Sequence, residues 1–305
     1  MQSLHEKQKT QLPEDKSAGL EETKRFNCVK CKDLKLILYR VHKDTAWIEE
    51  KVVVNGEEQY ISVPENMVLE DDLLTGKICT PDKAWEWKDS YSKQCDCINQ
   101  VRIRNLLKAS EITDAFKKLG FRSFVVDDKP QVIVDAYQCA LNYFKEFAEI
   151  RKERCNSISL LGQPGSGKTH LLTAIANNLI SKGISVLYFP YVEGFNDLKD
   201  DFSKLEEKLE RMKKVDVLFV DDLFKPAKGV PRATEWTVEQ IYAVINYRYL
   251  NHMPILISSE LTVDELVDVD EALGTRIYQM CKEFTVVIKG DRKQLNHRLE
   301  GLENV

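Results

Sequence analysis

A chain of 305 residues, 43% apolar and 30% charged, carries enough apolar material for a packed core and excludes a fibrous or wholly unstructured design. The formal net charge of −5 excludes a molecule coated in basic charge, so any nucleic-acid contact has to come from local patches. No run approaches the roughly 20 apolar residues needed to span a bilayer, and the eight cysteines are too dispersed for a disulfide framework. The expectation is a cytoplasmic protein with reduced thiols and no membrane partner.

In chain order, residues 1–26 are charged and polar, lack the apolar stretch of an export signal, and read as a flexible leader or a charged amphipathic helix. Residues 27–100 are β-rich: "LKLILYRV" and "WIEEKVVVNGEEQYISV" have strand character, and Asn55-Gly56 in the second is a two-residue hairpin signal. Residues 101–120 are basic and helical in pattern. A linker with Asp127, Asp128 and Pro130 follows, and then a helix over 132–150 with apolar residues at three- and four-residue spacing; residues 101–150 together read as a helical linker. From Ser157 the rhythm becomes alternating strands and helices. The runs "SISLLG", "ISVLYFP", "VDVLFVDD", "MPILISS" and "FTVVIK" suit strands buried on both faces of a parallel sheet, which predicts an α/β domain over 151–305 with ligands at the carboxyl ends of its strands.

The segment Gly162-Gln163-Pro164-Gly165-Ser166-Gly167-Lys168-Thr169 satisfies the phosphate-binding pattern G-x-x-x-x-G-K-[ST], between a predicted strand and a predicted helix. Glycines let backbone N–H groups turn inward around phosphate oxygens. Lys168 is placed for the β and γ phosphates at the positive end of a helix, and the Thr169 hydroxyl for Mg²⁺. The segment therefore predicts a nucleoside triphosphate as the ligand, which the resemblance described below narrows to ATP. His170 is counted with the nucleotide-binding segment, although packing is the plainer role for its ring. The acids ending "VDVLFVDD" divide the remaining work: Asp221 for the metal and Asp222 for activating the attacking water.

Together, "LGQPGSGKTHLLTAIANNLI", "VDVLFVDDLF", "NYRYLNHMPILISSE" and "EALGTRIYQMC" resemble the AAA+ ATPases of the DnaC/DnaI/IstB group, helicase loaders and transposition helpers. The resemblance covers about residues 100–300 and implies a P-loop AAA+ domain with a parallel sheet and flanking helices. It places Ser259 or Glu260 at the water-orienting sensor position, where the family more often ends in asparagine, and makes Arg276 the arginine that reaches a neighbouring subunit's γ-phosphate. Only 17 residues follow Ile288, short for a helical lid, so neither Arg292 nor Arg298 is assigned as a second sensor. Lys225, Lys228, Arg232 and Arg248 become candidates for single-stranded DNA phosphates, while Tyr242 and Tyr247 read as packing residues.

The pairs Cys28-x-x-Cys31 and Cys95-x-Cys97 offer four thiolates for a zinc ion, with Cys79 as a spare and free thiols as the alternative. Cys139, Cys155 and Cys281 read as core. The resemblance implies that the cysteine module grips a hexameric replicative helicase, while the ATPase domain self-associates on single-stranded DNA. The alternatives are an IstB-like transposition helper, or a nucleotide-dependent adaptor with negligible hydrolysis.

Overall fold

The computed structural model describes residues 26–54, 57–77 and 85–299. Residues 1–25 of the leader, the Asn55-Gly56 turn and Cys79 lie outside the described residues. The chain forms two compact units, Met1–Thr45 with Asn66–Cys95, and Ala46–Glu65 with Asp96–Val305. The first strands are β1 (Leu36–His42), β2 (Trp47–Val54), β3 (Glu57–Pro64), β4 (Met67–Leu69) and β5 (Trp85–Gln94), with a one-turn helix α1 (Glu70–Leu74) before β5. The first unit is built on an antiparallel sheet of order β4-β1-β5, in which Val41 is fully buried and Tyr39 meets Tyr91 edge-on at 5.9 Å. In the second unit, β2 and β3 pair antiparallel from Val54↔Glu57 to Trp47↔Pro64, the register that a two-residue connection dictates.

The predicted 101–120 helix forms only in its first half, as α2 (Cys97–Ala109). The Ser110 hydroxyl turns back to the Leu107 carbonyl, and Glu111 takes a φ of 59°. The Ser110 carbonyl accepts the Tyr188 N–H at 2.8 Å, which carries the chain across the edge of the main sheet. The periodicity reads through this break because Leu106, Leu107, Ile112 and Phe116 all reach the same core.

The remaining elements are α3 (Gln131–Ile150), β6 (Ile158–Gly162), α4 (Lys168–Ser181), β7 (Val186–Pro190), α5 (Tyr191–Leu198), α6 (Phe202–Lys214), β8 (Val217–Asp221), α7 (Glu235–Leu250), β9 (Ile255–Ser259), α8 (Val263–Val269), α9 (Glu271–Cys281), β10 (Thr285–Ile288) and α10 (Arg292–Leu295). The strands form one parallel sheet of order β10-β6-β9-β8-β7. Successive residues on a strand point to opposite faces, and here both faces are covered. Leu160, Tyr188, Phe219 and Leu256 pack with α3 and α4, while Leu161, Phe189, Val220 and Ile257 pack with Ile241, Ile245, Leu273 and Ile277 of α7 and α9. Two-sided burial explains why these strands read as unbroken apolar runs.

Arg248 on α7 is fully buried and is not a DNA contact. Its Nη1 donates to the carbonyls of Met212, Lys213 and Val215 at 2.8, 3.1 and 2.9 Å, and its Nη2 to those of Asp216 and Pro254 at 3.0 and 2.6 Å. The guanidinium thus satisfies carbonyls left over at the negative end of α6 and on the way into β8, and burial draws its pKa down to about 9. Periodicity cannot distinguish such an arginine from a surface one, because the carbonyls it serves belong to other elements. Arg248→Met keeps the apolar stem and removes the fork; it is expected to cost about 3 kcal/mol of stability, read as a lower urea midpoint with an unchanged slope.

Candidate nucleotide site

Strand β6 ends at Gly162, and the chain enters α4 at Lys168 after a five-residue loop. Gly162, Gly165 and Gly167 take φ values of 102°, 77° and 88°, a region closed to most side chains. At Gly162 a Cβ would also lie 2.2 Å from the Ile288 carbonyl oxygen. The Ser166 hydroxyl donates to the Gln163 carbonyl at 2.8 Å and closes the loop on itself. The loop is tied to the segment after β10 as well: the Gln163 amide exchanges hydrogen bonds of 2.9 Å in both directions with the Gly290 backbone, and His297 N–H donates to the Gly165 carbonyl at 3.0 Å.

Lys168 is buried at the mouth of this loop, donating at 2.7 Å to each of the Gly162 and Gln163 carbonyls. Burial lowers its pKa to about 8, against the opposing pull of Asp222, Glu260 and Asp221. Those carboxylates share its pocket.

Asp221, the last residue of β8, accepts hydrogen bonds from three hydroxyls: Ser258 at 2.5 Å, Thr169 at 2.9 Å and Tyr188 at 3.1 Å. Burial raises its carboxyl above the usual range, and the Ser258, Thr169 and Tyr188 hydrogen bonds resist that shift. Asp222 leaves the strand with a φ of 56°, its N–H donating to Ser258 Oγ at 2.8 Å. Its carboxylate is held by Lys225 Nζ at 2.5 Å, and the same ammonium lies 4.0 Å from Glu260 Oε1.

The sequence expectation for Ser259 needs correction. Its hydroxyl donates to the Leu223 carbonyl at 2.7 Å and accepts the Leu261 N–H at 3.1 Å, so it braces the turn after β8. Ser258, one residue earlier and therefore on the other face of β9, is the serine that meets the acids. Strand alternation, with Val220 paired to Ile257, was the signal that separates the two. Tyr188 was also missed; its signal was a lone hydroxyl in an otherwise apolar strand.

His170 is engaged in packing. Its Nε2 lies 3.1 Å from both the Gly120 carbonyl and the Ser123 hydroxyl, and its ring meets Phe124 edge-on at 5.1 Å. Arg276 on α9 donates to the Ala272 carbonyl at 2.6 Å and to Asn246 Oδ1 at 3.0 Å, with the rings of Tyr242 and Tyr249 at 5.4 and 5.5 Å. Those partners lie on α7 and on its own helix. Of the DNA candidates, Lys225 is taken by the acids and Arg248 by carbonyls. Lys228 and Arg232 remain exposed on a loop closed by the Ala227↔Val230 bridge. Cys281 is buried as expected, whereas Cys139 and Cys155 are only half-buried.

The sulfurs of Cys28, Cys31, Cys95 and Cys97 all lie within 4.8 Å of one another, with Cys28 and Cys95 3.6 Å apart. Zinc–sulfur bonds of about 2.3 Å put tetrahedral sulfurs about 3.8 Å apart, so this donor set fits a zinc ion. The Cys31 backbone N–H, directed at the Cys28 sulfur, is the main cause that lowers the Cys28 pKa to about 7. Asp33 braces the same turn by accepting the Cys28 and Asn27 N–H groups at 2.9 and 3.1 Å.

Residues 134–301 match the family model described as IstB-like ATP binding protein. The chain belongs to that family. The matched range includes the loop Gly162–Thr169. The Bacillus subtilis (strain 168) protein YqaM is 59% identical over 300 residues, spanning 98% of this chain and 94% of the relative. The replicative helicase loader DnaI of the same organism is 28% identical, over 55% of this chain and 52% of DnaI. A crystal structure of a proposed primosome component from Streptococcus pyogenes serotype M3 shares the fold, with a TM-score of 0.50 at 19% identity over 63% of this chain and 97% of that one. Among the described residues no helix is long and apolar enough to cross a membrane.

The loop geometry leaves no room at Gly162. Gly162→Ala is expected to destabilise the domain by about 2 kcal/mol or more and to abolish ATP binding, checked by thermal unfolding and by calorimetric titration with ATP.

Proposed function

We propose that this chain is an ATPase that loads a hexameric replicative helicase onto single-stranded DNA. The observation that carries the reading is Asp221 at the end of β8, which accepts the hydroxyls of Thr169 on α4 and Ser258 on β9, beside a glycine loop whose carbonyls hold the buried Lys168. Thr169 Oγ1 and the Asp221 carboxylate are hard oxygen donors 2.9 Å apart, a pair that suits Mg²⁺. Bound there with ATP, the ion would neutralise phosphate charge. The loop N–H groups and Lys168 then hold the triphosphate, and Asp222 takes a proton from the attacking water.

Arg276 is assigned to a second copy of the chain. Its partners lie on α7 and α9 and not in its own phosphate loop, and its assigned role is to stabilise charge at a neighbour's γ-phosphate. Lys228 and Arg232 are the remaining exposed cations for DNA phosphates. The four-cysteine cluster is assigned to a structural zinc ion in the module that grips the helicase, and similarity to the loader DnaI supports that partner. The family description also supports a second reading, a helper that delivers a transposase to DNA. Capture with an ATP analogue from the native host separates them: a replicative helicase among the co-purified proteins supports the loader, and a transposase overturns it.

Hydrolysis is expected to be slow without DNA and faster with single-stranded DNA. Lys168→Ala should lower ATP affinity about tenfold or more. Asp222→Ala should lower turnover about a hundredfold with binding intact. Arg276→Ala should bind ATP normally yet lose about a thousandfold in turnover at concentrations where copies assemble. Equal turnover in all four proteins would remove the enzymatic reading.

Elemental analysis of the purified protein is expected to find one zinc per chain, lost when Cys28 and Cys95 are both changed to serine. Stoichiometric absence of metal from the unaltered protein would remove the zinc assignment.

A further inference from the structure

The turn after β8 delivers a cation to the carboxylate that is meant to activate water. Asp222 and Phe224 both have positive φ values, 56° and 54°, and Lys225 N–H closes the turn on the Asp222 carbonyl at 3.0 Å. The turn is fastened to β9 by the Leu223 N–H to the Ser258 carbonyl at 2.9 Å and by the Ser259 hydroxyl to the Leu223 carbonyl. Leu223 and Phe224 are completely buried. This rigid base fixes where the lysine stem starts. Its ammonium binds the Asp222 carboxylate at 2.5 Å, with Glu260 as a second acceptor 4.0 Å away. Two strained non-glycine residues held this firmly mark a turn whose shape matters.

We propose that Lys225 is a clamp on Asp222, and that Glu260 is the seat to which the ammonium moves when the clamp opens. The proposal rests on the reading of Asp222 as the water-activating group. In that step the water oxygen attacks the terminal phosphorus, the bond to the bridging oxygen breaks to leave ADP, and the water proton passes to the Asp222 carboxylate. A carboxylate oxygen already accepting from an ammonium is a poorer proton acceptor and has lost a lone pair that the water needs. The Glu260 carboxylate, 4.0 Å from the ammonium, gives Lys225 a second anion to move to. Asp221 and Lys168 share the pocket, so moving the ammonium from one acid to the other leaves its net charge unchanged. Lys225 is thereby a positioning residue that sets how often the site is competent, not a group that touches the phosphate.

Steady-state turnover of the full-length protein at saturating MgATP, without DNA, tests the clamp. Lys225→Met is expected to raise kcat about threefold or more, a direction that the loss of a merely structural ion pair would not give. Glu260→Gln should lower kcat, and the double variant should turn over like Lys225→Met. A Lys225→Met protein slower than the unaltered one overturns the proposal, with Lys225→Gln repeating the test should methionine fail to fold. A double variant as slow as Glu260→Gln alone also overturns it, because Glu260 would then act in the chemistry directly.

A second measurement does not need hydrolysis. Acetic anhydride labelling of Lys225, read by peptide mass spectrometry, should be several-fold faster in Asp222→Asn than in the unaltered protein. If no protein turns over bound ATP, the ATPase reading falls by itself. Labelling of Lys225 at equal rates in the two proteins then overturns the clamp.

Discussion

One buried carboxylate organises the second unit. Asp221 lies at the end of β8 and accepts hydroxyls from β7, α4 and β9, so a single anion joins four elements at the edge where the phosphate loop opens. Burying a charge costs several kcal/mol unless its lone pairs are filled, and three hydroxyl donors fill them without cancelling the charge. The carboxylate that results is held in place with its oxygens at the mouth of the loop, a placement that suits a divalent cation. The sheet order serves the same end, because β9 lies between the loop strand β6 and the acid strand β8 and brings Ser258 to both Asp221 and the Asp222 amide.

Cationic residues in this chain show how little a residue's type says about its work. Arg248 and Lys225 both looked like candidates for a DNA surface. Arg248 is instead the buried donor to five carbonyls around the end of α6. Lys225 pairs with Asp222 at 2.5 Å, with Glu260 4.0 Å away. Lys228 and Arg232, on the same loop as Lys225, keep the exposure that a phosphate contact requires. What separates the four is the set of oxygens that the fold brings within reach.

The two candidate ligand sites are built on opposite principles. Soft sulfurs from two short cysteine pairs converge in one, and hard oxygens with a glycine-lined backbone cup form the other. Thiolates suit a soft or borderline ion such as zinc, and hydroxyl with carboxylate oxygens suit a hard one such as magnesium.

The sequence by itself determined the phosphate loop, the paired acids, the strands buried on both faces and the cysteine pairs. Each of these depends on residues close together in the chain, where spacing fixes geometry: glycines that permit positive φ, acids at a strand end, thiols two or three residues apart. The tertiary structure decided which serine of Ser258-Ser259 meets the acids, where the 101–120 helix breaks, and what Arg248, Lys225 and His170 are bonded to. Those outcomes depend on partners dozens of residues away, such as Gly120 for His170 and Met212 for Arg248. A local pattern cannot carry that information, because the partner atoms become neighbours only once the sheet has formed and its faces are covered.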